Sequence, residues 1–103
     1  MSIDDKVNKL HDKINNSNKE LIFFGLSYCE YCKKTIKLLK KKRITYKYYI
    51  IDKYFNIFFD ILLKVSELFP NLEIINTHKT VPVIFMNNKF IGGFTDLEKM
   101  LNY

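Results

Sequence analysis

Apolar residues recur every three or four positions near the start of the chain, which is the spacing of a helix with one buried face and predicts a first helix from Ile3 to about Ile14. A second helix is predicted from about Tyr31 to Lys42, because apolar residues up to Ile44 lie in a lysine-rich segment whose basic face is interpreted as the solvated side of a helix. A third helix carries a broader apolar stripe and ends at Pro70, because proline lacks the amide hydrogen that a helix interior needs. The apolar positions of these helices are Ile3, Val7, Leu10 and Ile14, then Ile36, Leu38 and Leu39, and then Phe55, Phe58, Phe59, Leu62, Leu63, Val65 and Phe69.

Four shorter runs have the composition of strands. Leu21 to Leu26 is apolar without interruption, as in a strand that is buried on both faces. Tyr46 to Ile51 predicts a second strand, parallel to the first because a long helical crossover joins them. Val83 to Met86 and Lys89 to Ile91 form a predicted antiparallel hairpin, since the two asparagines between them tolerate the positive φ of a tight turn.

The remaining segments connect these elements. Pro70 to Lys79 is a connection in which we expect a short extended piece at Leu72 to Ile75. After two glycines, Thr95 is expected to cap a last, short helix. The order helix, strand, helix, strand, helix, hairpin, helix predicts an α/β fold. Its core is a mixed four-stranded sheet flanked by helices on both faces, and one extra helix lies at the N-terminus.

The length of the chain is typical of one folded domain. The sequence has 103 residues, of which 48% are apolar, so we treat residues 1–103 as a single domain with little room for a second module. Its apolar stretches are far shorter than the roughly 18 residues that cross a bilayer. The first residues lack the basic start and apolar core of a secretory signal. We therefore expect a cytoplasmic protein that does not contact membranes.

The chain carries an excess of positive charge. Seventeen basic residues against eleven acidic ones give a net charge of +6, and sixteen of the basic residues are lysine. Alanine and glutamine are absent, whereas isoleucine, asparagine and lysine are abundant, which is typical of AT-biased codon usage. We therefore do not expect a nucleic-acid partner.

The two cysteines carry the strongest chemical signal. Cys29 and Cys32 form a Cys-x-x-Cys motif between a predicted strand and the start of a predicted helix, a placement typical of redox sites. Backbone N–H groups at a helix start stabilise the thiolate, which is the attacking form of cysteine, and Cys32 lies one turn further along the same face. The spacing predicts a two-step exchange in which Cys29 attacks and Cys32 releases the product. Half of a zinc site and a pair of inert thiols are the alternatives, although zinc normally takes four ligands and His11 and His78 are the two histidines.

Two charged neighbours should adjust the reactivity of Cys29. A Glu30 carboxylate about 6 Å from the thiolate would disfavour the charged sulfur by roughly 1 kcal/mol at an effective dielectric constant of about 40. Lys33, one turn after Cys29, would favour the thiolate, although simple exposure to solvent explains this lysine equally well.

Three motifs follow one another in the chain. They are Ser27-Tyr28-Cys29-Glu30-Tyr31-Cys32, then Thr80-Val81-Pro82 with Ile84-Phe85, and then Ile91-Gly92-Gly93-Phe94-Thr95-Asp96-Leu97. In order and spacing, from about residue 21 to residue 101, the chain resembles a glutaredoxin of the dithiol type. The resemblance implies a thioredoxin-like fold and an enzyme that couples disulfide exchange to glutathione.

The resemblance also implies roles for individual residues. Cys29 would be the nucleophile and Cys32 the resolving thiol. Pro82 would be a cis proline that faces the disulfide, and the backbone of Val81 would pair with the substrate backbone. The start of the last helix would bind the γ-glutamyl carboxylate of glutathione and the Asp96 carboxylate its ammonium group, with a helix cap as the alternative role of Asp96. The expected glutathione- and substrate-binding residues are Tyr31, Lys79, Thr80, Val81, Pro82, Gly93, Phe94, Thr95 and Asp96.

Two positions differ from the family pattern. Leu26 stands where these proteins usually have a lysine three residues before the first cysteine, and Glu30 stands where a proline usually follows it. Lys79 is a candidate to replace the missing lysine in binding the glycine carboxylate of glutathione.

We expect a monomeric thiol-disulfide oxidoreductase that uses glutathione as co-substrate and holds no metal. Its partners would be glutathione and disulfide-containing or glutathionylated proteins. One alternative is a carrier that binds a [2Fe-2S] cluster through Cys29 of two chains and glutathione, which the replacement of proline by Glu30 favours. The other is a thioredoxin-like reductant fed by a flavoprotein reductase, which Leu26 favours.

Overall fold

The computed structural model describes residues 3–17 and 20–102, and its strands form one mixed sheet. The strands are β1 (Leu21–Gly25), β2 (Tyr46–Ile50), β3 (Val83–Met86) and β4 (Lys89–Gly92). Their order across the sheet is β2-β1-β3-β4, with β1 parallel to β2 and antiparallel to β3, and β3 antiparallel to β4. The predicted mixed sheet is confirmed.

Helices cover both faces of this sheet. They are α1 (Ile3–Asn15), α2 (Glu30–Lys41), α3 (Phe55–Leu68) and α4 (Phe94–Leu101). Residues of α1 and α3 share one apolar cluster, and residues of α2 and α4 share the other, so each pair lies on its own face. None of the helices in residues 3–17 and 20–102 has the length and hydropathy needed to cross a membrane.

The central strand β1 joins the two layers. Ile22 and Phe24 pack against the α1–α3 layer, whereas Leu21 and Phe23 pack against the α2–α4 layer. Side chains alternate between the faces of a strand, so a strand covered on both faces is apolar at every position. This alternation explains the uninterrupted apolar run in the sequence.

The hairpin is formed as predicted, because Asn87 and Asn88 have φ angles of 52° and 64°. The expected extended piece at Leu72 to Ile75 is wrong. Pro70–Leu72 instead forms a 3₁₀ turn, followed by Glu73 in the left-handed region with φ 59°. Proline presets the φ angle of this turn, and the buried side chain of Leu72 anchors it in the core.

The start of α4 also differs from the prediction. Gly93, and not Thr95, is the N-cap residue, and Thr95 is the second residue of the helix. The Asp96 carboxylate accepts a hydrogen bond from the Gly93 N–H at 2.9 Å. An acidic side chain at the third helical position can reach back to the N-cap backbone, and this contact starts the helix two residues earlier than expected.

Candidate active site

Cys29 and Cys32 lie where β1 passes into α2. Cys29 is the N-cap residue of α2, and its sulfur accepts a hydrogen bond from the Cys32 N–H with an N···S distance of 3.1 Å. The two residues are joined in a disulfide, so the structure shows the oxidised form of the pair. The predicted placement of the cysteines at a helix start is confirmed.

The two cysteines differ in burial. Cys29 is partly exposed, whereas Cys32 is only 1% exposed and packs among the apolar side chains of the α2–α4 layer. A Cβ atom on Gly25 would overlap the Cys32 sulfur and would lie 3.2 Å from the ring of Tyr48. The absence of a side chain at Gly25 therefore leaves the space that the Cys32 sulfur occupies.

The loop before the cysteines is tied to the segment that follows β2. The Ser27 N–H donates to the Asp52 carboxylate at 2.9 Å, and the Ser27 hydroxyl donates to the same carboxylate. These hydrogen bonds lower the pKa of Asp52, because they stabilise its charged form. The Tyr48 hydroxyl donates to the carbonyl of Leu26, and burial together with the Asp52 charge raises the pKa of Tyr48.

A groove of about 590 Å³ opens beside the first turn of α2. It is bounded by that turn, by the start of α3, by the segment before β3 and by the start of α4. Its lining residues are Tyr31, Phe55, His78, Lys79, Thr80, Val81, Pro82, Gly93, Phe94, Thr95 and Asp96. All nine residues predicted to bind glutathione or substrate therefore line a single groove.

Aromatic rings and a cis peptide bond shape this groove. The rings of Tyr31 and Phe94 lie with their centroids 6.1 Å apart, and Tyr31 is 53% exposed. The Val81–Pro82 peptide bond is cis, as the resemblance to glutaredoxins implies. The groove thus offers an apolar wall next to the cis turn at Val81–Pro82.

Two groove residues, Phe55 and His78, are absent from the predicted site. Phe55 belongs to the apolar stripe of α3 but is 38% exposed at its first turn. His78 lies in the connection before β3, where its Nε2 is 3.4 Å from the carbonyl oxygen of Pro82 and its ring packs edge-on against Phe90. The sequence carries no local signal for either position, because only the folded chain brings them to the groove.

The two glycines before α4 are sites of close approach. A Cβ on Gly93 would lie 3.2 Å from Cε1 of His78. Gly92 has a φ of 124°, and a Cβ there would overlap the Asp96 carboxylate. Asp96 therefore caps α4, which is the alternative role predicted for it, and it also lines the groove.

The charges next to Cys29 partly offset one another. The Lys33 ammonium lies 3.7 Å from the Glu30 carboxylate, and the two side chains are 67% and 80% exposed. Leu26 is half-buried against the α1–α3 core. Lys79 is exposed and lines the groove.

Within residues 3–17 and 20–102 there is no group of three or more histidine, cysteine or acidic side chains that could hold a metal ion. The remaining histidine, His11, stacks on Phe69 with ring centroids 3.6 Å apart, far along the chain from the cysteines.

Comparison with known proteins agrees with this geometry. Residues 21–91 match the sequence profile of the glutaredoxin family. A probable glutaredoxin of Acanthamoeba polyphaga mimivirus is 37% identical over 84 residues, which are 79% of this chain and 76% of that protein. Glutaredoxin-2 of Schizosaccharomyces pombe is 36% identical over 84 residues, which are 82% of this chain and 69% of that protein.

A solved structure of a buckwheat glutaredoxin in complex with glutathione superposes with a TM-score of 0.68 at 25% identity. The superposition covers 97% of this chain and 83% of the buckwheat chain. With its Cys-x-x-Cys pair at the start of α2, its thioredoxin-like fold and its match over residues 21–91, this chain belongs to the glutaredoxin family of thiol-disulfide oxidoreductases.

Proposed function

We propose that this protein uses glutathione to reduce protein disulfides, or mixed disulfides between proteins and glutathione, through Cys29 and Cys32. The observation that carries the proposal is a partly exposed cysteine, Cys29, at a helix start beside a groove that is lined by all the predicted binding residues. A related buckwheat protein has been solved with glutathione, which supports the choice of this co-substrate.

The different burial of the two cysteines supports a division of roles. A client disulfide can reach the partly exposed Cys29, whereas Cys32 is buried and suits an intramolecular reaction with Cys29. In the first step the Cys29 thiolate attacks one client sulfur, and the other client sulfur leaves as a thiolate. In the second step the Cys32 thiolate attacks the Cys29 sulfur, which releases the second client thiol and leaves the Cys29–Cys32 disulfide.

Two molecules of glutathione then restore the dithiol. The first attacks Cys29, forms a mixed disulfide with it and releases Cys32 as a thiol. The second attacks the glutathione sulfur of that mixed disulfide, which yields glutathione disulfide and free Cys29. Each cycle therefore moves two electrons from two glutathione molecules to one client disulfide.

The charges of the groove suit an anionic peptide with an ammonium group at one end. Lys79 offers a positive charge for a carboxylate, and the first N–H groups of α4 offer a second anion site. Asp96 places a negative charge at the same helix start for the ammonium group of glutathione. The segment at Val81 and Pro82 offers backbone groups to an extended peptide.

A coupled assay with a glutathionylated peptide tests this function. We expect turnover with glutathione, glutathione reductase and NADPH, and little turnover when a thioredoxin reductase system replaces them. The Cys29→Ser variant is the control for uncatalysed exchange. Reduction that depends on thioredoxin reductase alone would contradict the proposal and favour a thioredoxin-like reductant.

A further inference from the structure

The net positive charge of this protein is concentrated in one short segment. Residues 30–43 contain seven basic side chains and one acidic side chain, so this segment alone carries a net charge of +6. The rest of the chain has ten basic and ten acidic residues and is neutral overall. The excess charge therefore lies on α2 and the turn that follows it.

Four of these basic residues lie along one side of α2. Together with Glu30 and Ile36 they line a shallow groove of about 490 Å³, and we call them the α2 lysine stripe: Lys33, Lys34, Lys37 and Lys40. All four are exposed, and Ile36 is half-buried between them. At 1.5 Å per helical residue the stripe ends about 16 Å from Cys29.

Among the described residues, an acidic side chain pairs with one of the four lysines of this stripe and leaves the other three without a carboxylate partner within 4 Å. In the part of the chain that the structure describes, the paired lysine of the stripe is Lys33, whose ammonium group lies within 4 Å of the Glu30 carboxylate. Lys34 lies over the ring of Tyr31 at 4.9 Å from its centroid. Lys37 and Lys40 contact no carboxylate of residues 3–17 and 20–102 at that distance.

A solvated helix face does not require charges of one sign. Like charges four residues apart, such as Lys33 and Lys37, destabilise a helix by a few tenths of a kcal/mol, whereas alternating signs would stabilise it. The exposed face of α3 has the mixed composition expected of a solvated helix, with Asp60, Lys64 and Glu67. From Lys33 to Lys40 the exposed charges of α2 are all positive, which suits a partner of the opposite sign.

We propose that the α2 lysine stripe docks an acidic segment of the client protein while Cys29 attacks the client disulfide. This inference rests on the function proposed above and names its client class. An extended peptide rises about 3.3 Å per residue, so about five residues span the distance from Cys29 to the end of the stripe. The preferred client therefore carries several Asp or Glu residues within about five positions of its reactive cysteine. A positive surface beside the reacting sulfur raises the rate of encounter with such a segment.

The test uses three glutathionylated peptides that differ only in the five residues next to the cysteine, which are acidic, uncharged or basic. At low ionic strength we expect kcat/KM for the acidic peptide to exceed that of the uncharged one by about 10-fold, with the basic peptide lowest. At about 0.3 M salt the three values should converge, because salt screens exposed charges. Equal values at low salt would overturn the proposal.

A matched pair of charge reversals locates the effect. Lys37→Glu should lower kcat/KM for the acidic peptide about 3- to 5-fold, as expected for one exposed charge contact that becomes repulsive, and should leave the uncharged peptide unchanged. Lys64→Glu makes the same change in net charge on α3, on the other face of the sheet, and should leave all three values unchanged. Equal losses in the two variants would mean that net charge alone matters and would overturn the assigned site.

Two further measurements separate this inference from the proposed function. A small uncharged disulfide reports glutathione-dependent activity that does not involve the stripe. If this disulfide is turned over while the three peptides react at equal rates, the docking proposal is refuted and the proposed function stands. An acidic peptide with serine in place of its cysteine can bind but cannot react, so its binding to the parent protein tests docking even if reduction fails. Weaker binding of this peptide by Lys37→Glu supports docking at the stripe. The choice of a protein client would be overturned if the stripe bound nucleic acid or anionic vesicles while kcat/KM stayed the same for the three peptides.

Discussion

The two sides of the active site are built in different ways. The cysteine side, Cys29 and Cys32, comes from four consecutive residues at one helix start. Apart from Tyr31, the groove side is assembled from Phe55, the segment 78–82 and the segment 93–96, which lie far apart in the sequence. Local helix geometry sets up the first side, and tertiary packing sets up the second. We therefore expect substitutions on the cysteine side to change kcat and the thiol pKa, and substitutions on the groove side to change KM.

The largest effect is expected from the cysteines themselves. Cys29→Ser should abolish exchange with every substrate, because no other exposed sulfur lies at the helix start among the described residues. Cys32→Ser should keep activity on glutathionylated peptides, since free glutathione can replace the buried thiol in that reaction. The measurement is initial rate with a glutathionylated peptide and with a protein disulfide. Equal loss of peptide activity in both variants would contradict the separate roles.

A second substitution tests how tightly the cysteine side is packed. Gly25→Ala should destabilise the protein by about 1–3 kcal/mol, because the added Cβ overlaps the Cys32 sulfur. The measurement is the free energy of unfolding in urea. In a Cys32→Ala background the same substitution should cost much less, since the sulfur is gone. An equal cost in both backgrounds would identify Tyr48, and not Cys32, as the limiting neighbour.

On the groove side, the corresponding position is Asp96. Asp96→Lys should raise KM for a glutathionylated peptide by about 10-fold, because a charge-assisted hydrogen bond becomes a repulsion, while kcat changes little. Asp96→Asn is the matched control for stability, since its amide oxygen can still accept the Gly93 N–H and cap α4. It should raise KM by a smaller factor. A KM that stays unchanged in both folded variants would leave Asp96 as a helix cap alone.

A smaller shift is expected from the charged pair next to Cys29. Glu30→Gln should lower the Cys29 pKa by somewhat less than about one unit, because it removes a nearby negative charge. Lys33→Gln should raise it by a similar amount, and the double variant should lie close to the parent, since the two charges are 3.7 Å apart. Thiolate absorbance in a Cys32→Ser background reports this pKa. An unchanged pKa in Glu30→Gln would show that solvent already screens the carboxylate.

Much of the fold follows from periodic patterns that act over a few residues. The apolar run of β1, the helical spacing in α1 and α3, and the asparagine pair of the hairpin each predict their element, because burial of one or two faces dictates the pattern. The cysteines belong to this class as well. Their position at a helix start depends on neighbours in sequence, which is why the motif predicts it correctly.

The groove is harder to predict, because the local sequence around each of its residues is explained equally well by a role outside the groove. Phe55 fits the apolar stripe of α3, so its exposure at the groove is visible only in the folded chain. His78 lies in a connection without periodicity, and its position depends on contacts with Pro82 and Phe90. Thr95 and Asp96 are both good capping residues, so the sequence does not show where α4 begins. In the folded chain the Asp96 carboxylate accepts the hydrogen bond from the Gly93 N–H, and this contact sets the start of the helix.

The hydrogen bonds from Ser27 to the Asp52 carboxylate make the attachment of the active-site loop sensitive to acid. The folded-state pKa of Asp52 is lowered, so this carboxylate contributes stability above its unfolded pKa of about 3.9, and that contribution is lost as the pH falls through the folded-state value. The amide resonance of Ser27 should follow this titration, and it should become insensitive to acid in Asp52→Asn. Because the folded-state pKa of Asp52 lies below its unfolded value, the loop before Cys29 should stay attached in mild acid and be released only at lower pH, where the carboxylate is protonated.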